Sequence, residues 1–142
     1  MNTSNVSNLL HIAASRIARR VKSTDSKNGM SPARMSVLSI LVKQGPLTLG
    51  ELARIEEVRA PTMTSIIKGL EEEGYITRRS DKSDGRIVRV RISAKGKRSY
   101  QNSLDRRANV MDALLEDLSR KELQTLHQAA KILESHLTKI KH

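Results

Sequence analysis

Arg86, Arg89 and Arg91 stand among Val88, Val90 and Ile92 in a stretch that opens with Asp84-Gly85 and closes with Ser93-Ala94-Lys95-Gly96. Guanidinium groups carry planar forks of N–H donors suited to phosphate oxygens. Asp84-Gly85 is a hairpin-turn dipeptide, in which Gly85 supplies the positive φ that a tight turn needs. Beyond it Val88, Val90 and Ile92 alternate with Arg89 and Arg91, so one strand face is apolar and the other cationic. Ser93 then offers the N-cap of a long amphipathic helix. A basic β-hairpin that feeds a helix is poor core structure; it is a wing suited to touching phosphates.

A second constellation precedes it. Met63, Ile66, Ile67 and Leu70 fall at i, i+3, i+4 and i+7, the buried stripe of a helix that starts at Pro61. Pro61, Ser65 and Lys68 project from the opposite side, with Thr62 and Thr64 on the flanks. Short polar side chains there let the backbone come close to a ligand. Arg59 lies just ahead of this helix, where a cation costs about 0.3–1 kcal/mol against the helix dipole. Glu71, Glu72 and Glu73 sit at the other end, equally ill-matched to the dipole. The helix is positive where a polyanion would lie and negative where it would leave the groove.

These groups need a frame. Val6, Leu10, Ala13, Ile17 and Val21 give a first helix that ends near Lys22, and Ser23 to Gly29 reads as a polar turn. Ser31-Pro32 starts a second helix through about Lys43, and Gly45-Pro46 stops it. Thr48 with Glu51 has capping-box spacing, so a short third helix runs to about Ile55. Gly74 ends the fourth, after which Tyr75–Arg79 and Arg86–Ile92 pair as strands. Leu104, Ala108, Met111, Leu115 and Leu118 mark a fifth helix. Ser119 and Glu122 form a second capping box ahead of Leu123, Leu126, Ala130, Leu133, Leu137 and Ile140. Stripes so regular want partner helices, from the first helix or from a second copy of the chain. The expected fold is mainly α with a small β-hairpin wing (α+β), a winged helix-turn-helix plus a helical dimerisation region. Its parts are a dimerisation helix over 1–30, the winged helix over 31–99 and dimerisation helices over 100–142.

Composition narrows the partner. The chain has 142 residues and 26 Lys and Arg against 15 Asp and Glu, a formal net charge of +11. Residues 75–99 alone hold nine Lys and Arg against two Asp. Such a charge favours nucleic acid or an anionic membrane. With no Phe, no Trp and two Tyr, the chain lacks the rings on which single-stranded bases stack, so duplex DNA is favoured. The absence of Cys excludes disulfides, thiolate catalysis and Cys-ligated zinc. The chain has no apolar run of membrane length and no signal-peptide layout, so a cytoplasmic protein without a membrane partner is expected. Ser65-Ile66-Ile67-Lys68 matches an acyl-transfer spacing but has no companion motif. His11, His127, His136 and His142 form no metal-ligand cluster with carboxylates. No catalytic residue, metal site or cofactor is expected.

The run Asp84-x-Arg86-x-x-x-Val90-x-Ile92-Ser93-x-x-Gly96 resembles the wing signature of the MarR (multiple antibiotic resistance regulator) family. Leu70-Glu71-Glu72-Glu73-Gly74-Tyr75-Ile76-Thr77-Arg78 is similar to the segment that leads into that wing. The resemblance implies a homodimeric repressor whose terminal helices interlock and whose two winged helices read a pseudo-palindromic operator. It places Arg86 at the wing tip in the minor groove, with Asp84 holding its guanidinium. Pro61, Thr62, Thr64, Ser65 and Lys68 would face the major groove, with Arg59 at its mouth and Arg89 on the cationic wing face. Many members carry Arg where this chain has Ser65, which leaves more of the base reading to Arg59 or Lys68. The resemblance also implies release by a small anionic, often aromatic or phenolic, acid. His11, Arg16 and Met35 are its candidate contacts, with Arg16 or His11 pairing a carboxylate. Two other readings stay open: a non-specific architectural DNA-binding protein, and a basic helical module that binds an acidic protein or a membrane.

Overall fold

The structure, a computed structural model, describes residues 2–26 and 30–140. His142 and part of the polar turn expected over Ser23–Gly29 lie outside the described residues. The chain divides into two compact units, Met1–Arg107 and Ala108–His142.

The first unit opens with α1, Thr3–Ser26, which continues four residues past the expected end at Lys22. The Ser23 and Thr24 hydroxyls donate back to the carbonyls of Arg20 and Val21, each at 2.7 Å, so these polar residues extend the helix. Helix α2, Pro32–Gln44, starts as the sequence predicts: Ser31 Oγ accepts the Arg34 N–H at 3.2 Å and Pro32 occupies the first turn. Gly45, at φ 78°, ends it. A two-residue strand, β1 (Leu47–Thr48), precedes α3 (Leu49–Ile55), whose capping box pairs Thr48 with Glu51 in both directions.

Helix α4 spans Ala60–Glu72, one residue earlier than its proline suggests. Its end is a Schellman motif: Gly74, at φ 80°, donates to Glu71 C=O and Tyr75 N–H donates to Leu70 C=O, both at 2.9 Å. The chain thereby turns into β2 (Ile76–Ser80), which pairs antiparallel with β3 (Val88–Ile92) from Ile76↔Ile92 to Ser80↔Val88. Both strands begin later than predicted. Gly85 does not take the expected positive φ. The connection is a seven-residue loop, Asp81–Ile87, and a loop of that length has no need of the primed two-residue turn. Inside it Ile87 N–H donates to Asp84 C=O at 3.1 Å.

The sheet has a third strand that the sequence did not announce. β1 pairs with β3 through Leu47↔Val90 and Thr48↔Arg89, giving the order β1-β3-β2. Two residues are too few for a period to register. The core gathers Met35, Val37, Leu38 and Leu41 of α2, Leu52 and Ala53 of α3, and Met63, Ile67 and Leu70 of α4. Ile76 and Val90 close it from the sheet, and Met30 joins it ahead of α2. Ser93 caps α5 (Ala94–Leu115) by accepting the Gly96 N–H at 3.0 Å.

In the second unit α6 (Arg120–Leu137) begins with the expected capping box between Ser119 and Glu122. Hydrogen bonds from the Ser119 hydroxyl and backbone N–H hold the Glu122 carboxyl below its ordinary pKa. None of the residues of α6 is buried, although Leu123, Leu126, Ile132, Leu133 and Leu137 lie along it. Among the described residues, no helix is long and apolar enough to cross a membrane.

Candidate nucleic-acid interface

Helix α4 has two disjoint faces. Met63, Ile67 and Leu70 are completely buried, and Ile66 is half-buried at the margin. Pro61, Thr62, Thr64, Ser65 and Lys68 are all exposed, so the five predicted groove-facing residues share one solvent-facing surface. Arg59 is the N-cap residue but forms no side-chain cap, which leaves N–H groups of the first turn open at the end where Arg59 also projects. Phosphate oxygens suit such an end. Thr64 Oγ1 donates to Ala60 C=O at 2.9 Å, which fixes its rotamer with the methyl free.

At the far end each glutamate has its own cation. Arg78 of β2 pairs with Glu71, Lys68 reaches Glu72 at 3.9 Å, and Arg34 of α2 pairs with Glu73. The acidic run is thus partly neutralised and also ties α4 to α2 and to the sheet. Between α3 and α4, Glu57 sits at φ 54° in a second Schellman turn, with Val58 N–H on Ala53 C=O at 3.0 Å. A side chain in that region costs about 1–2 kcal/mol relative to the right-handed conformation. The helix-turn-helix therefore holds a strained corner at a position where glycine would be relaxed, and no local sequence pattern signals it.

On the wing, Arg86 is 93% exposed in its side chain. Asp84 Oδ1 accepts from the Arg86 backbone N–H at 3.0 Å and from its Nε at 3.3 Å, so the carboxylate sets both the loop and the guanidinium. Arg89 is placed differently. Its Nε donates to Asp81 Oδ2 at 2.7 Å and its Nη1 lies 3.9 Å from Glu51 Oε2 at the start of α3. The Ser83 hydroxyl and N–H also bind Asp81, at 2.6 and 2.8 Å. Together with Arg89 these bonds hold the Asp81 carboxyl well below the usual carboxylate range, and Asp81 raises the Arg89 pKa in turn. A depressed carboxyl stabilises the fold above its unfolded pKa, so the network is intact at neutral pH and yields only in strong acid. Arg89, expected on the phosphate-facing side, is half-buried and has its guanidinium engaged by the protein's own carboxylates. The strand register sets Arg79 opposite Arg89, so neither the diagonal contact with Asp81 in the loop nor the link to Glu51 was signalled by the pairing.

The predicted effector contacts do not meet on one surface. His11 and Arg16 are exposed on α1, whereas Met35 is 1% exposed and packs in the core of the winged helix. Among the described residues, no group of three or more His, Asp or Glu is arranged to hold a metal ion.

Known proteins share this architecture. A family model described as MarR family matches residues 30–88. An uncharacterized HTH-type transcriptional regulator of Mycobacterium bovis is 31% identical over 124 residues, covering 87% of each chain. The HTH-type transcriptional repressor MdtR of Bacillus subtilis is 30% identical over 110 residues, covering 77% of this chain and 71% of its own. A transcriptional regulator of Thermotoga maritima superposes with a TM-score of 0.83 over 96% of both chains at 24% identity, a likeness of fold.

Proposed function

The chain belongs to the MarR family of DNA-binding transcriptional regulators, and from that premise we propose that it is a homodimeric, sequence-specific repressor released by a small anionic ligand. The observation that carries the sequence-specific reading is the exposed face of α4 beside the open wing-tip Arg86. Arg59, Pro61, Thr62, Thr64, Ser65 and Lys68 meet the major groove, and Arg86, steadied by Asp84, enters the minor groove. Homodimerisation is supported by the exposed leucines of α6 and by Val6, Leu9, Leu10, Ile12 and Ile17 on α1, which are exposed among the described residues. The repressor role follows the similarity to MdtR. The ligand is an aromatic or phenolic acid, with Arg16 and His11 as its ionic contacts.

Fluorescence anisotropy against the duplex upstream of the protein's own gene, with a scrambled duplex as control at two salt concentrations, tests this reading. Tight, salt-sensitive binding to the upstream duplex alone is expected; equal binding to both would replace the specific regulator with an architectural protein. Two wing variants sharpen the assignment. Arg86→Ala is expected to weaken binding to every duplex by about tenfold, the worth of one charge-assisted hydrogen bond, and to lower the salt slope by about one. Asp81→Asn is expected to weaken binding too, although it removes a negative charge, because Arg89 then loses the group that places the wing. Tighter binding by Asp81→Asn would instead make Arg89 a phosphate contact held in check.

A further inference from the structure

One stripe of α5 is unlike the rest of the helix. Lys95, Ser99, Asn102 and Arg106 follow one another by four, three and four residues, with Arg98 on the flank. At that spacing a helix lying on its own domain usually shows apolar side chains. Here the stripe and Tyr75 line a concavity of about 280 Å³ within the first unit. Met30 completes the lining, and no carboxylate is among its described lining residues.

Apart from Lys95, the polar side chains of this concavity have donors left open among the described residues. Arg98, Ser99 and Asn102 make no side-chain hydrogen bond or ion pair among the described residues. The Nε of Arg106 is buried with no acceptor among the described residues. A buried N–H without a partner carries its full desolvation cost, and three cations around one hollow repel each other. An anion in the hollow relieves that repulsion and meets the open donors of Arg98, Ser99 and Asn102. Lys95 is already pinned at the wall: its ammonium donates to Glu73 C=O at 2.5 Å and stands 4.5 Å from the centroid of the Tyr75 ring. The hollow is therefore set in advance for a negative guest. None of the residues assigned to the duplex lines it, nor do His11, Arg16 or Met35.

We propose that this concavity is a binding site for a compact, multiply charged anion, a small molecule bearing phosphate or several carboxylates. Arg98 and Arg106 supply guanidinium forks, while the Ser99 hydroxyl and Asn102 amide complete the donor set. The volume is at the small end of ligand pockets, which suits a compact guest. Tyr75, the wall residue, is also the residue whose N–H closes the Schellman turn of α4. A guest held there touches the exit of the recognition helix directly.

Calorimetric titration of the full chain with sodium pyrophosphate, and separately with citrate, at fixed ionic strength tests the site without DNA. Saturable binding of one ion per chain is expected, weakened at least tenfold by Arg98→Gln with Arg106→Gln and unchanged by Arg86→Ala. Asn102→Glu, on an exposed position where the fold tolerates change, is expected to abolish binding by placing a carboxylate in the hollow. Tighter pyrophosphate marks the guest as a phosphate compound and tighter citrate as a polycarboxylate; either supports the site. Absence of saturable binding to both overturns it. So does binding that Arg86→Ala removes and the α5 variants leave intact, since the anion would then lie on the DNA face. Failure of operator binding leaves this outcome untouched, so the two readings fall separately.

Discussion

Gly96→Ala is expected to destabilise the winged helix by about 3 kcal/mol, although alanine in a helix normally gains up to about 1 kcal/mol over glycine. The reversal comes from a seam where three elements meet. A Cβ at Gly96 would enter the van der Waals shell of the Tyr75 carbonyl oxygen and lie 2.7 Å from Ile92 Cγ1. That carbonyl cannot retreat, because it accepts the Ser93 N–H at 3.0 Å, and Ser93 Oγ in turn donates to Gly74 C=O at 2.7 Å. Domains of this kind have roughly 5–15 kcal/mol in total, so the loss is a large share. Urea unfolding followed by circular dichroism measures it as a lower midpoint at constant slope. Gly69→Ala is the control. Its new methyl would meet only the guanidinium end of the flexible Arg34 side chain, so the variant should be neutral or stabilised by up to about 1 kcal/mol. Equal stability of wild type and Gly96→Ala would mean that the seam is not close-packed.

Leu126→Glu combined with Leu133→Glu is expected to turn the proposed dimer into a monomer and to lower operator affinity by a hundredfold or more. The two leucines are one heptad apart on α6 and are 46% and 41% exposed in the single chain. Two carboxylates per chain in an apolar contact would be buried without partners. Glutamate forms helix about as well as leucine, and the Ser119–Glu122 capping box is untouched, so α6 itself should persist. The affinity loss follows from linkage: when one half-site is held, the second domain acts at an effective concentration near millimolar, which a monomer forfeits. Light scattering reads the mass and anisotropy reads the affinity. A variant that remains dimeric would move the interface away from α6.

Periodic and capped elements were the legible part of the chain. Ser31-Pro32, Thr48 with Glu51 and Ser119 with Glu122 located three helix starts, because a cap is a local chemical event. The two faces of α4 were readable from the spacing of Met63, Ile67 and Leu70. What escaped was set by pairing across the fold. Strand β1 exists because Leu47 finds Val90, and the wing loop is long because Asp81 binds Ser83 and Arg89. The strain at Glu57 was equally hidden, since its residue type argues against its conformation. Among the candidate site residues, exposure of the α4 face and of Arg86 was foreseeable from pattern, whereas the engagement of Arg89 depended on the wing-loop carboxylate of Asp81 and, at longer range, on Glu51 of α3.

The separation of the two faces of α4 has a consequence for the lineage of this protein. Residues that hold the domain together and the surface residues proposed to read an operator share a helix without sharing a side chain. Exchanges at Thr62, Ser65 or Lys68 leave the packing of Met63, Ile67 and Leu70 alone. A duplicated gene could therefore drift toward a new operator one surface residue at a time, with every intermediate still folded.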